Sequence, residues 1–320
     1  MIQVFEGAAG PSLAPGGSVA CVGAFDGVHR GHRALLDRVR ARADARGLPA
    51  VVVSFEPIPR EFFARGAPLL RLSDRHDKIE QFEAAGIDRV LLLGFDAELA
   101  GWDAQTFIDR ILIARLEARE VFVGADFRFG RDRQGDVAVL REAGERAGFS
   151  VEVFPEFALE GERVRSSRIR EKLAAGDFDG AAHLLGRRFR IGGEVIHGQQ
   201  LGRRLGYPTA NIALGSRASP VGGIFAVRVH GLDGGPHPGV ASLGVRPTVD
   251  GGGAPLLEAH LFDFDGDLYG RRLDVEFVAK LRDEEKFADL DALVRQMDRD
   301  AAEARTILGM PQAAKAGATA

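Results

Sequence analysis

The stretch Val22–His32 constrains the fold of this chain more than any other feature. The apolar run Val19–Val22 leads into it and predicts a buried strand. Gly23 and Gly27 then stand where the backbone must turn or approach a ligand closely. Apolar residues at helical spacing predict a helix over Gly31–Arg46. The stretch therefore predicts a strand, a tight turn and a helix in direct succession.

Two histidines, His29 and His32, fall at this predicted turn from strand to helix. Residues three apart share one face of a helix start. The first turn of a helix also offers unpaired N–H groups and the positive end of the helix dipole, and together these bind phosphate. The pattern favours phosphate chemistry, although a pair with this spacing can also be a surface feature or a chance resemblance to a metal site.

Strand and helix patterns alternate through the N-terminal half. Asp74 and Asp103 are expected to cap two of the helices. Alternation of this kind predicts a parallel sheet with helices on both faces and a ligand at the carboxyl ends of the strands. The absence of a GxGxxG motif gives a hydride-transfer dinucleotide fold little support. The predicted strands are Ser18–Phe25, Ala50–Phe55, Arg89–Gly94, Glu120–Gly124 and Ser150–Phe154, and the helices are Gly31–Arg46, Arg75–Ala85, Ala104–Leu116 and Val137–Ala147.

Two further stretches carry candidate binding residues. The loop Gly124–Arg131 combines Asp126 with phenylalanines, which can flank a planar ring, and arginines, which can reach phosphate; the phenylalanines could instead only pack the loop down. The helix start Val164–Arg170 holds serines and arginines that could form a second phosphate site. Helix capping alone would also explain the serines.

The C-terminal half is richer in glycine, and strands dominate it. Short strands separated by turn signals favour a small antiparallel barrel. The amphipathic helix Asp289–Leu308, with Leu290, Leu293, Met297 and Ala301 on one face, is expected to cover it. A domain boundary is placed after two short helices that end at Gly186, and residues 309–320 are expected to fray. The predicted strands are Phe189–His197, Gly223–His230, Val240–Gly244, Leu256–Phe262 and Arg271–Leu281.

The stretch Gly198–Asn211 is the second candidate site. Its glycines surround two arginines, and such a loop can lie close to phosphates. Thr209 and Asn211 are two apart, so in an extended segment both point to one side, where they could hold Mg²⁺ together with ATP and water. Glu258, on an apolar strand, is a candidate general base or an ordinary solvated acid.

Bulk properties narrow the function further. The net charge of −4 over 320 residues does not indicate a nucleic-acid partner. The single cysteine, Cys21, excludes a disulfide within the chain. The start of the chain lacks a signal-peptide pattern and no apolar run approaches the length of a membrane span, so a cytoplasmic protein is expected.

The motifs of both halves, in their order, resemble the bacterial bifunctional riboflavin kinase/FMN adenylyltransferase family, the FAD synthetases. The resemblance covers about residues 15 to 307. The motifs that carry it are Gly23–His32, Gly124–Gly130, Leu184–Gly186, Gly206–Asn211, Ser242–Thr248, Leu268–Gly270 and Leu281–Phe287.

The resemblance implies a Rossmann-like nucleotidyltransferase domain over residues 1–186 and a β-barrel riboflavin kinase domain over residues 187–308. ATP would phosphorylate riboflavin to FMN, with Glu258 as base and Thr209 and Asn211 on Mg²⁺. A second ATP would adenylylate FMN to FAD, with His29 and His32 stabilising charge on the phosphates. The other implied ATP- or flavin-binding residues are Gly23, Phe25, Asp26, Gly31, Asp126, Ser166, Ser167, Arg168, Arg170, Gly198, Gly202, Arg203, Gly206, Arg246, Tyr269 and Arg282.

Two departures from the family pattern leave alternatives. Ile58 stands where the family commonly has histidine, and Arg165-Ser166-Ser167 where it commonly has Ser-Ser-Thr. The alternative is a riboflavin kinase with a weakened or vestigial adenylyltransferase domain; transfer to another acceptor and a flavin-binding module have less support. The expected partners are riboflavin, FMN and ATP, with transient delivery of flavin to apo-flavoproteins, and neither nucleic acid nor membrane.

Overall fold

The computed structural model describes residues 1–64, 70–198, 202, 205–214, 218–245 and 255–312. The chain divides into two compact units. The first runs from Met1 to Ser166 without Leu70–Leu72, and the second contains Leu70–Leu72 and the chain from Ser167 onward. The two short helices before Gly186 group with the second unit, in which Phe178 stacks on Phe277 of the barrel with ring centroids 6.2 Å apart.

A six-stranded parallel sheet forms the centre of the first unit. Its strand order is β1-β4-β3-β2-β5-β6, and every neighbouring pair is parallel. The strands are β1 Gln3–Glu6, β2 Ser18–Val22, β3 Ala50–Phe55, β4 Arg89–Leu93, β5 Ala118–Gly124 and β6 Ser150–Phe154.

Helices cover both faces of this sheet, as the alternation predicts. Val19 of β2 belongs to one apolar core with Val39 and Phe82, whereas the next residue, Ala20, belongs to the other core with Ile111. Successive side chains of a strand point to opposite faces, so two cores mean two covered faces. The helices are α1 Arg30–Arg46, α2 Pro59–Phe63, α3 Arg75–Ala84, α4 Ala97–Gly101, α5 Ala104–Phe107 and α6 Val137–Ala147, with a π-helical segment Ile108–Arg115 after α5.

The strand order reverses beside β2. From β2 the chain moves outward to β3 and β4, then returns to β5 on the other side of β2 and continues to β6. The loops that leave the carboxyl ends of β2 and β5 therefore diverge, and ligands of open α/β sheets bind in the crevice formed there. The loops that begin at Gly23 and after Gly124 are those two loops, so the reversal brings the first two sequence motifs to one edge.

A closed antiparallel barrel forms most of the second unit. Its strand order is β10-β13-β12-β11-β14-β9, and β9 pairs with β10 to close it. The short pair β7 Ala158–Leu159 and β8 Glu162–Arg163 and the helices α7 Ser166–Ala174 and α8 Phe178–Leu185 precede it. The barrel strands are β9 Arg190–Ile196, β10 Ala210–Ala213, β11 Gly223–His230, β12 His237–Val245, β13 Pro255–Leu261 and β14 Arg272–Arg282.

The C-terminal helix α9, Leu290–Ile307, packs against β11, β12 and β14. Ala301 and Ala304 lie in the contact, whereas Leu290 is exposed. The predicted apolar face is therefore wrong at its first residue. The helix is also tied down by charge, because Arg282 of β14 donates two hydrogen bonds to the buried carboxylate of Asp300, at 3.0 and 2.8 Å.

Several elements of the structure differ from those that the sequence predicts. The strand predicted to reach Phe25 ends at Val22, and Phe25 itself, with a φ of 49°, cannot belong to an extended strand. The helix predicted over Ala104–Leu116 becomes π-helical at Ile108. The edge strand β1 was not predicted, and β12 begins at His237 rather than Val240. The N-caps Asp74 and Asp103 are confirmed, since each accepts a backbone N–H of the first turn.

Alanine substitutions at two helical glycines would test the packing of the helices in the first unit. Gly144 of α6 faces Phe149, and a Cβ at Gly144 would overlap the Phe149 carbonyl oxygen. Gly144→Ala is expected to lower the free energy of unfolding by about 1–3 kcal/mol, because the overlap requires the backbone to shift. Scanning calorimetry measures this effect.

Gly101→Ala is the matched control, because nothing lies within 4 Å of a Cβ at that helical position. Alanine has the better helix propensity, so this variant should be unchanged or more stable by up to about 1 kcal/mol. Equal unfolding temperatures for the two variants would contradict the packing described for α6.

Candidate functional site

His29 and His32 form a stacked pair at the start of α1. Their ring centroids are 3.7 Å apart and the rings are inclined by 10°. His29 caps the helix, since its Nδ1 accepts the backbone N–H of His32 at 3.2 Å. The hydrogen of a neutral His29 is therefore on Nε2, from which the ring can donate. The two rings share one face, as their spacing predicts.

The turn between β2 and this pair has a strained backbone. Phe25 and Val28 have φ values of 49° and 35°, and Gly27 has 86°. A positive φ is uncommon for any residue but glycine, and costly for a β-branched one. Asp26 is buried in this turn, where Oδ1 accepts the backbone N–H of Ser73 at 3.2 Å. The structure thus places the Asp26 carboxylate against the protein's own backbone.

Glycines leave room for aromatic rings in the same turn. A Cβ at Gly31 would lie 3.3 Å from the His29 ring, and one at Gly23 would lie 3.1 Å from the Phe25 ring. Phe25 in turn packs edge-on against His32, with centroids 5.1 Å apart. These predicted site residues therefore shape the imidazole pair, whatever else they contact.

The loop after β5 divides its residues between surface and core. Asp126 is 88% exposed, and Arg163 Nη2 lies 3.9 Å from its carboxylate. Phe129 is buried and stacks with Phe127, with centroids 5.2 Å apart. The packing explanation for this loop therefore holds for Phe129, while Asp126 is accessible to a ligand.

The loop after β3 holds residues that the sequence analysis missed. Phe62 and Phe63 are 40% and 61% exposed, and both pack edge-on against Phe95. In the sequence, the only signal for them was that two phenylalanines are adjacent shortly after a strand.

Lys78 of α3 was also missed. Its side chain is fully buried, and its Nζ donates to the Phe55 carbonyl at 2.8 Å and pairs with Glu56 at 2.9 Å.

The predicted residues of helix α7 have separate partners. Ser166 Oγ donates to the Asp26 carbonyl at 2.9 Å, which brings this serine to the β2 turn. Ser167, Arg168 and Arg170 belong to the second unit. There Arg168 pairs with Glu171 at 3.0 Å and Arg170 Nε donates to the Leu70 carbonyl.

In the barrel, hydrogen-bonded register brings together residues that are distant in sequence. Asn211 on β10 lies directly opposite Glu258 on β13, and Glu258 lies opposite Ser242 on β12. Residues directly opposite one another in a ladder point to the same face. The predicted base and one predicted metal ligand therefore share one face of the barrel wall, and Ser242 joins them.

The side chain of Asn211 fits a cation ligand. It is 6% exposed, its Nδ2 lies 3.5 Å from the Thr209 carbonyl, and its buried Oδ1 has no hydrogen-bond partner among the described residues. A buried amide oxygen without a donor is costly unless something else occupies it, and a hard cation prefers such an oxygen. No group of three or more His, Cys, Asp and Glu side chains that could hold a metal occurs in the described residues.

Neighbouring residues hold this segment in place. A Cβ at Gly198 would come within 2.6 Å of the Asn211 amide, so glycine permits that approach. His260, which the sequence analysis missed, binds the Pro208 carbonyl through Nδ1 at 2.8 Å. Nδ1 is the donor, because a carbonyl oxygen can only accept. Burial lowers the pKa of His260.

The remaining predicted site residues of the barrel have different surroundings. Tyr269 stacks on His197 with centroids 3.9 Å apart. Arg282 is engaged by Asp300, whose carboxylate raises the pKa of this guanidinium, and so it holds helix α9. A Cβ at Gly202 would overlap the Tyr207 carbonyl, and Gly206 has a φ of 85°. Arg203 and Arg246 lie outside the described residues.

Among the described residues, no helix has both the length and the apolar character needed to cross a membrane.

Comparisons with known proteins match both units. A family model described as FAD synthetase matches residues 12–168, and one described as riboflavin kinase matches residues 185–308. A bifunctional riboflavin kinase/FMN adenylyltransferase of Pseudomonas fluorescens is 50% identical over 91% of this chain and 93% of its own length. That of Escherichia coli K12 is 43% identical over 93% of this chain and 95% of its own length.

A crystal structure described as a macrolide-efflux protein of Streptococcus pneumoniae has a similar fold. Its TM-score is 0.76 at 29% identity, over 93% of this chain and 97% of that chain. The family is shown by the curated relatives, whose identity and coverage extend through both halves. The chain belongs to the family of bifunctional riboflavin kinase/FMN adenylyltransferases.

Proposed function

We propose that this chain makes FAD from riboflavin in two ATP-dependent steps, one in each unit. The barrel transfers the γ-phosphoryl group of ATP to the 5′-hydroxyl of riboflavin, giving FMN and ADP. The first unit transfers the adenylyl group of a second ATP to the FMN phosphate, giving FAD and pyrophosphate. The observation that carries the proposal is the match of a separate family model to each half of the chain.

In the kinase step, Glu258 accepts the proton of the attacking riboflavin hydroxyl. Glu258 lies opposite Asn211 in the barrel ladder, so base and cation ligand act on one face. Enzymes that use ATP in these families need a divalent cation, and we assign Mg²⁺ to Thr209 and the partnerless Oδ1 of Asn211. When bound, the cation neutralises charge on the ATP phosphates.

The glycines of the adjoining loop allow the backbone to approach the ATP phosphates. Gly198, Gly202 and Gly206 are assigned to this role, and Tyr269, stacked on His197, offers a ring face to a substrate. Arg203, Arg246 and Arg282 stay predicted ligands of ATP or flavin. Arg282 would do this indirectly, because its guanidinium is engaged by Asp300.

In the adenylyl-transfer step, an FMN phosphate oxygen attacks the α-phosphorus of ATP and pyrophosphate leaves. The Nε2 hydrogen of His29 and the N–H groups of the first turn of α1 stabilise the negative charge that develops on the phosphates. His32, stacked on His29, supplies a second imidazole. These groups lie at the edge of the sheet where the strand order reverses.

Other residues of the first unit bind the two substrates. We assign the exposed Phe62 and Phe63 to the planar flavin ring, because they present apolar faces beside the carboxyl end of β3. The remaining predicted ligands of ATP and FMN in this step are Gly23, Phe25, Asp26, Gly31, Asp126, Ser166, Ser167, Arg168 and Arg170.

The match of the FAD synthetase family model to residues 12–168 favours the two-step function over the kinase-only alternative. Ile58 is 2% exposed and caps α2 with its backbone, so it acts as a packing residue. The phosphate chemistry rests on His29 and His32 at a different loop. Delivery of flavin to apo-flavoproteins and a cytoplasmic location stay predictions from the sequence.

The first test separates the two sites. His32→Ala should lower the rate of FAD formation from FMN by about 10²–10³-fold, the effect of removing one charge-stabilising donor. FMN formation from riboflavin should be unchanged, and both products are measured by chromatography of flavins. His76→Ala, an exposed histidine of the same unit, is the control. Equal loss of both activities in the folded His32 variant would contradict the assignment.

Glu258→Gln tests the base. Riboflavin binding should be retained while phosphorylation slows by about 10²–10⁴-fold, the usual value of general-base help. The exposed strand residue Glu194 provides the matched control, Glu194→Gln. An unchanged rate of FMN formation would remove Glu258 from the mechanism.

Asn211→Ala tests the cation assignment. Without Oδ1 the barrel should need a higher MgCl₂ concentration for half-maximal FMN formation, by about tenfold, since one ligand of few is lost. The MgCl₂ dependence of FAD formation from supplied FMN serves as the control within the same protein. The same MgCl₂ midpoint as in the wild type would contradict the assignment.

A further inference from the structure

Ser73 joins the strained turn that carries the histidine pair to the start of another helix. Its Oγ accepts the backbone N–H of Gly27 at 2.9 Å, and its own N–H donates to Asp26 Oδ1 at 3.2 Å. Ser73 and Asp26 are each only 4% exposed. These buried hydrogen bonds join residues 46 and 47 positions apart in the chain.

The hydrogen bonds of Ser73 stabilise the strained backbone of the turn. Three of the four residues Phe25–Val28 have a positive φ, and only Gly27 tolerates this without cost. A conformation of this kind persists only when the surroundings over-determine it. Ser73 does so by holding Gly27 through the hydroxyl and Asp26 through the backbone.

The position of Gly27 affects the positions of the two imidazole rings. Gly27 precedes His29 by two residues, and His29 is the residue whose Nδ1 accepts the His32 N–H and whose ring stacks on His32. A relaxed turn would move the His29 backbone and tilt the stacked pair. A displacement of about 1 Å at such a site can cost about 10²-fold in rate.

We propose that Ser73 is a positioning residue for adenylyl transfer. It holds the Asp26–Gly27 peptide so that His29 and His32 are correctly placed to bind the phosphates. The inference rests on the proposed function of the first unit. In this arrangement Asp26 Oδ1 is also the acceptor of the Ser73 backbone N–H.

Ser73→Ala removes the acceptor of the Gly27 N–H. We expect kcat for FAD formation from FMN to fall about 10- to 100-fold, while KM for FMN changes by less than about threefold, because positioning acts on the transition state more than on binding. FMN formation by the barrel of the same molecules should keep its wild-type rate. Ser73→Thr, which retains Oγ, should recover most of kcat.

Ser18→Ala is the matched structural control. Ser18 lies in the same unit, is fully buried, and donates from Oγ to the Leu116 carbonyl at 2.7 Å. It starts β2, at the opposite end of the strand from the histidine turn. Ser18→Ala should lower the melting temperature comparably to Ser73→Ala but leave kcat for FAD formation unchanged.

Three outcomes would overturn the proposal. The first is a wild-type kcat in Ser73→Ala, and the second is an equal fall of kcat in the Ser18 and Ser73 alanine variants. The third is a threonine variant as slow as the alanine variant. If the wild-type protein forms no FAD from FMN and ATP, the proposed function of the first unit fails instead, so the two failures are distinguishable.

Discussion

The central strand β2 is the constraint on which the first unit depends. All five of its residues are buried, and both of its faces pack into apolar cores. A strand in this position cannot slide along its neighbours, because a shift of one residue would exchange its two faces. The order of the sheet also reverses beside it. The loop that follows Val22 therefore begins at the place where a parallel sheet opens a crevice for ligands.

The functional groups of the two proposed sites are brought together in different ways. In the first unit, a turn and a helix start supply N–H groups and imidazoles, and Ser73, in the segment before α3, binds the turn through its side chain. In the barrel, hydrogen-bonded register places Asn211 and Glu258 side by side without any local motif. In the proposed function, backbone geometry would position phosphate in the first unit and cross-strand pairing would do so in the barrel.

Sequence periodicity predicted much of the architecture, and it did so best for well-bounded elements. The structure has β3 Ala50–Phe55 and α6 Val137–Ala147 with the predicted bounds. Prediction failed where local pattern carries little information: β1 is four residues long and lies at the sheet edge. Ser73 and Lys78 were missed for another reason. From the sequence, a serine that precedes a helix and a lysine within a helix are both expected at the surface. Only the tertiary packing shows that both are buried.

By itself, the sequence determined the alternation of strands and helices, the change to an antiparallel barrel, and the chemistry of the motifs, because these follow from residue type and short-range spacing. The tertiary structure alone decided the strand order that brings the β2 and β5 loops to one edge, and the ladder that sets Glu258 opposite Asn211. It also decided that Arg282 is engaged by Asp300. These relations depend on contacts between residues far apart in the chain, which no local pattern encodes.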